Sequence, residues 1–215
     1  MAKRRKVGNL LALAVLTSVI QRPMHPYEMA LMLRARGKEK DMPIKWGSLY
    51  TVVQNLEKHG FMETAGSDRQ GGRPERTLYR ITPAGREELE DWVRELVSTP
   101  EIEHPRFEAG LSVLGVLEPK EAAALLQQRL VLLESANAAA RTALRESSRE
   151  VPRLFLIESE YDLAVREAEL TWIRSLLDEL TSGSFPGLDQ WNAFHETGTI
   201  PAELTALSEK GSAQG

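Results

Sequence analysis

The chain has 215 residues, 42% hydrophobic and 27% charged, a composition that supports a real core and excludes wholesale disorder. It holds no cysteine, which excludes disulfides, a thiol nucleophile and thiolate metal sites, and suits a cytoplasmic location. The net charge of −4 hides a split: residues 1–90 carry 16 Lys and Arg against 10 Asp and Glu, residues 91–215 carry 11 against 21, so a polyanionic partner is expected at the front end only.

Lys3-Arg4-Arg5-Lys6 ahead of apolar Leu10 to Ile20 has the outline of a signal peptide. The run is too short for a bilayer, which needs roughly 20 residues. Its small-x-small site, Ala12-Leu13-Ala14, lies inside the run rather than after it. A buried first helix over 7–20 is the better expectation, with no membrane partner. A second helix is predicted over 26–36, because Pro26 suits the first helical position and Gly37 the residue past the end. A third is predicted over 46–59. There Leu49, Val52, Val53 and Leu56 form one apolar stripe, and Gly60 follows as a left-handed cap.

Phe61 to Ala65 reads as a short strand, 66–74 as a turn-rich loop, and Arg76 to Ile81 as a returning strand. Thr82-Pro83 caps and opens a helix that runs to about Val97. Helix, helix, helix, strand, basic loop, strand, helix is the order of a winged helix-turn-helix, and we place this domain at 1–98.

Beyond Pro100 helices follow. His104-Pro105 opens one with Phe107, Leu111 and Leu114 on a face. Pro119 opens another reaching about Arg149, with Leu126, Leu130, Leu133, Asn137, Ala140 and Leu144 at heptad steps. A last long helix over 152–182 carries Leu154, Ile157, Tyr161, Val165, Trp172 and Leu176, and Thr181-Ser182-Gly183-Ser184 ends it. The expected fold is mainly α: a winged helix-turn-helix, then a helical dimerisation and effector region over 99–183. A partly disordered tail over 184–215 follows, with Phe185, Leu188, Trp191 and Phe194 as its sizeable apolar anchors.

The polar face of the third helix has the chemistry of base recognition. Gln54 and Asn55 can pair with adenine edges, and Ser48 and Thr51 can reach bases or phosphates. Lys45, Tyr50 and Lys58 can reach phosphates. An ordinary solvated helix face is also polar, so the wing matters. Arg69, Arg73, Arg76 and Arg80 sit on or beside it, with Glu75 the one acid from Arg69 to Arg80. Arginines at such a tip suit phosphates or a narrow minor groove.

Four stretches together resemble the PadR family of transcriptional regulators: His25-Pro26-Tyr27-Glu28-Met29; Gly47-Ser48-Leu49-Tyr50; Leu56-Glu57-Lys58-His59-Gly60-Phe61; and Gly71-Gly72-Arg73-Pro74 with Tyr79-Arg80-Ile81-Thr82-Pro83-Ala84-Gly85-Arg86. The resemblance covers about residues 8–95, and 105–180 is similar to the longer helical region of one subgroup. It implies a dimeric regulator of double-stranded DNA, often one that senses a small molecule such as a phenolic acid or an antibiotic. The chain departs from the family at Pro26, where Gly is usual, and at Lys45-Trp46, where Ser-Pro is usual. The second departure implies a weaker start to the recognition helix and a tryptophan on the DNA side.

In the C-terminal region, Leu126, Leu130, Leu133, Asn137, Leu144, Val165 and Leu176 are the expected homodimer interface. The alternative for this seam is intrachain core. Trp92, Phe107, Tyr161 and Trp172 are candidates to line a site for a small apolar or aromatic effector, with a dry core as the alternative. No cofactor or metal is expected: His25, His59, His104 and His195 are scattered without ligand spacing, and Gly71-Gly72 lies between two strands rather than after one. Enzymatic activity is not expected. The function so read is a sequence-specific regulator, a repressor, on a pseudo-palindromic operator; the rival is a winged helix that binds protein in a larger assembly.

Overall fold

The computed structural model describes residues 5–39, 42, 44–68 and 76–198. The chain divides into two compact units after Ile102, four residues beyond the boundary expected from sequence.

In the first unit, α1 (Leu10–Ser18) is buried nearly all round, and Asn9 caps it by accepting from the Leu11 N–H at 2.9 Å. α2 (Pro26–Ala35) starts with its proline at N1, and Gly37 follows at φ 68°. A 3-10 turn, Trp46–Ser48, leads into α3 (Leu49–Lys58). Its stripe of Leu49, Val52, Val53 and Leu56 packs with Leu11, Val15 and Leu16 of α1 and Met29 of α2 into one core.

The chain then leaves α3 through Gly60 (φ 75°) into β1 (Met62–Asp68), which pairs antiparallel with β2 (Arg76–Ile81). The register runs from Met62↔Ile81 to Asp68↔Arg76 with a break between Thr64 and Ser67, where Gly66 takes φ 112°. This bulge lets β1 run on past Ala65, where the sequence suggested it would end. A third segment joins the sheet: Met24 and Tyr79 exchange both backbone hydrogen bonds at 3.0 Å. One bridging residue has no period to detect, so sequence reasoning missed it.

α4 (Pro83–Ser98) begins at Thr82, whose Oγ1 accepts from the Gly85 N–H at 3.0 Å and donates to the Gly60 carbonyl at 2.6 Å. Leu89 and Trp92 of α4 enter the core. Arg5 lies against this helix, paired with Glu88 at 2.7 Å and with Glu95, its guanidinium 5.3 Å from the Trp92 ring centroid. One of the N-terminal basic residues thus belongs to internal structure.

In the second unit, α5 (Arg106–Leu111) precedes α6 (Pro119–Ser147), and α7 (Ile157–Ser182) returns beside α6. A 3-10 turn, Arg153–Phe155, occupies what the sequence assigned to the start of the last long helix. Leu126 and Leu130 of α6 pack against Leu170, Ile173, Leu177 and Leu180 of α7. Interhelical pairs flank this core: Arg129–Glu169, Glu134–Arg174 and Arg141–Glu167, at 2.6, 2.6 and 2.8 Å.

α8 (Leu188–Thr197) lies in the stretch assigned to the tail. Phe185, Leu188 and Trp191 pack onto the second core, and the Trp191 indole donates to the Leu117 carbonyl at 2.9 Å. The expected looseness of 198–215 lies, beyond Gly198, outside the described residues.

Candidate nucleic-acid interface

The α3 side opposite its buried stripe is polar and open. Thr51, Gln54, Asn55 and Lys58 are exposed along it, as is Lys45 ahead of the helix. Tyr50 is 55% exposed. The helical period dictates this split: once Leu49, Val52, Val53 and Leu56 enter the core, the residues between them must face out. Ser48 is half-buried and does not cap the helix; its Oγ donates to the Lys45 carbonyl at 2.8 Å. It is therefore less available to DNA than the other polar residues of this face.

Trp46 is not an open tryptophan on this surface. It is half-buried against the first core, with the Arg34 guanidinium 4.5 Å from its ring centroid and its indole N–H on Glu39. Packing thus holds the start of α3 where the sequence lacks a cap.

On the wing, Arg76 is exposed, whereas Arg80 is held by Glu63 across the hairpin at 2.7 Å. Arg69 and Arg73, named from sequence as wing contacts, lie outside the described residues.

His25 was singled out only as part of a motif. Its Nδ1 accepts from the Tyr27 N–H at 3.1 Å and so caps α2. Its ring meets Tyr50 edge-on, with centroids 6.4 Å apart. Burial and, second, the nearby Arg76 charge lower its pKa below the ordinary 6.5, while Glu28 opposes them. His25 therefore sits where α2, α3 and the wing meet.

The expected interface seam needs correction. Leu126 and Leu130 are buried, Asn137 is fully so, and Leu133 and Leu176 pack against the same core, so the chain's own α6–α7 pairing takes up these residues. A two-helix antiparallel pair satisfies a heptad seam as well as a second chain does. Leu144 is half-buried, and Val165 alone of the named set is exposed. The Asn137 amide has no hydrogen-bond partner among the described residues.

What the chain leaves open shares only Val165 with the named set. Leu125 and Leu132 lie seven residues apart on α6, and Tyr161, Val165 and Trp172 on α7 are spaced at four and seven; all five are exposed. Both spacings keep side chains on one helical face.

Of the effector candidates, Phe107 and Trp172 meet edge-on at 6.2 Å. Trp92 fills the first core, and Tyr161 is exposed. Phe107 also lines a groove of about 410 Å³ with Leu111, Leu114, Leu126 and Arg129, the last lying 3.9 Å from the Phe107 ring centroid. Arg106 stands at the same groove and makes no ion pair among the described residues.

Residues 15–91 match the model of the transcriptional regulator PadR-like family. No curated protein matches the chain. Solved structures share its fold. Bacillus subtilis PadR in complex with operator DNA is 19% identical, with a TM-score of 0.66 over 80% of this chain and 99% of that one. The same protein in complex with p-coumaric acid is 17% identical, with a TM-score of 0.64 over 80% and 99%. The virulence activator AphA of Vibrio cholerae is 18% identical, with a TM-score of 0.57 over 80% and 98%.

Proposed function

From the match of residues 15–91 to the transcriptional regulator PadR-like family we propose that the chain binds a pseudo-palindromic operator as a homodimer and represses transcription until a small apolar or aromatic effector releases it. The observation that carries this reading is the exposed row of Thr51, Gln54, Asn55 and Lys58, set on a helix whose other side is locked into the core. Gln54 and Asn55 read base edges; Lys45, Tyr50, Lys58 and Arg76 hold phosphates, with Arg69 and Arg73 assigned the same role. A rigid scaffold behind the readers is what base discrimination needs.

The exposed stripe of Tyr161, Val165 and Trp172 supports the dimer, because apolar patches left open on a single chain mark association surfaces. The Phe107 groove supports the effector, and its volume lies in the range that holds small ligands. The neighbour bound to p-coumaric acid gives the same fold a precedent for such a ligand. Repression is the sign we assign: an effector that loosens DNA binding then switches genes on. No helix among the described residues is long and apolar enough to cross a membrane, in keeping with action in the cytoplasm.

The test is to sequence the genomic fragments the protein retains and to measure binding of the variants to them. Gln54→Ala and Asn55→Ala should each weaken the retained site by about 1–3 kcal/mol and leave random DNA nearly unchanged. Equal losses on both DNAs reject base reading. A reporter fused to a retained fragment should rise when the protein is absent.

A further inference from the structure

His25 is more than the cap of α2. Its Nδ1 accepts the amide hydrogen of Tyr27, so that nitrogen carries no proton. In a neutral imidazole the proton then resides on Nε2, which becomes a donor. Nε2 has no hydrogen-bond partner among the described residues, and His25 is only half-buried.

The donor is also held in place. The paired backbone bonds between Met24 and Tyr79 fasten the residue before His25 to the wing strand. Pro26 fixes the backbone after it. The Glu28 and Met29 N–H groups both return to the His25 carbonyl, at 2.9 and 3.1 Å. The ring edge rests on Tyr50 of α3, and Arg76 of β2 is near enough for its charge to act on the ring. Tyr50 and Arg76 are both assigned to phosphates above. An N–H held beside Tyr50, with the Arg76 charge acting on the same ring, lacks only an acceptor.

We propose that His25 is a further DNA-contacting residue, donating from a neutral Nε2–H to a phosphate of the duplex beside Tyr50 and Arg76. The ring is neutral because the cap uses its other lone pair, and because burial and Arg76 disfavour a second proton. This inference rests on the reading of α3 and the wing as the DNA face. It adds a contact of a different kind: a neutral donor strengthens binding to any sequence without releasing a counterion, whereas each lysine or arginine contact steepens the salt dependence.

The test uses the full chain and short duplexes of random sequence, at a pH well above 6.5, the ring's ordinary pKa. His25→Asn keeps a good capping acceptor and removes the Nε2–H donor. It should lower affinity about ten- to a hundredfold, the usual range for a hydrogen bond to a charged group, with the salt slope and melting temperature unchanged. Arg76→Ala, run beside it, should lower both affinity and slope.

Wild-type affinity for His25→Asn with a loss for Arg76→Ala overturns the His25 contact and spares the DNA face. No loss for either variant overturns the face itself. A slope that falls in His25→Asn overturns the neutral donor in favour of a cationic one. If His25→Asn folds poorly, His25→Ser, another capping residue without a ring, should give the same affinity loss at an unchanged melting temperature.

Discussion

A β-carbon added at Gly85 would lie 1.9 Å from the Phe61 carbonyl oxygen, a backbone atom that cannot rotate away. The approach is this close because Thr82 ties the start of α4 to both Gly60 and Phe61, its Oγ1 to one carbonyl and its N–H to the other. Gly85→Ala should therefore destabilise the first unit by about 1–3 kcal/mol, the usual cost of overpacking, and thermal melting would measure it. Melting at the wild-type temperature would mean that α4 can slide away from Phe61. His25 gives a pH dependence at the same scale. Its pKa is lowered on folding from 6.5, so the unfolded chain binds the extra proton more readily. The stability it contributes is complete above 6.5 and is lost as pH falls through the lowered folded value. Melting scans across the histidine range should show wild type losing ground to His25→Asn as pH falls, and parallel curves would count against the cap. The sequence showed Gln54 and Asn55 facing out, because period alone decides it. It could not show His25 as a cap, since histidine is not among the usual capping residues. Nor could it show that Trp46 packs under Arg34, a contact between residues twelve apart along the chain.

At the scale of elements, proline and glycine made most boundaries legible. Pro26, Pro83 and Pro119 all occupy first turns, and Gly37, Gly60 and Gly183 all take positive φ where helices end. The elements that escaped are those held by distant partners. α8 depends on Trp191 reaching the Leu117 carbonyl, seventy-four residues back, and Met24 joins the sheet through one residue only. Between α6 and α7, the buried Asn137 amide lies in an otherwise leucine-rich seam with no hydrogen-bond partner among the described residues. An unsatisfied buried amide costs about 1–3 kcal/mol, and replacing it by an apolar group of similar size is neutral to stabilising. Asn137→Leu should thus raise the melting temperature of the second unit. A drop would show that the amide is satisfied in the folded protein and that its polarity supports the α6–α7 register.

At the scale of the whole molecule, a heptad seam tells that two helices pair, not whose helix the partner is. Leu126 and Leu130 are used within the chain, while Leu132, which differs from them only in helical phase, and Val165 on α7 remain exposed. This separation gives the dimer a sharp test. Leu132→Glu with Val165→Glu changes two exposed residues, so the single chain should fold with little loss, because surface substitutions typically cost within about 0.5 kcal/mol. A second copy, however, would have to bury carboxylates without partners, which a small interface does not tolerate. Light scattering should then report monomers where the wild type is a dimer. A two-fold dimer places recognition helices on half-sites about 34–36 Å apart, so the monomer should lose affinity for a pseudo-palindrome far more than for a single half-site. Leu130→Ala provides the contrast. It opens a cavity in the chain's own core and should lower stability by about 2–5 kcal/mol. Its effect on DNA binding should track unfolding alone. If the double glutamate variant stays dimeric, the copies meet on some face other than this stripe, and the contact must be sought elsewhere on the chain. If it is monomeric yet binds the pseudo-palindrome as tightly as before, DNA binding does not need the dimer, and the two-fold operator reading fails with the base contacts of α3 left standing.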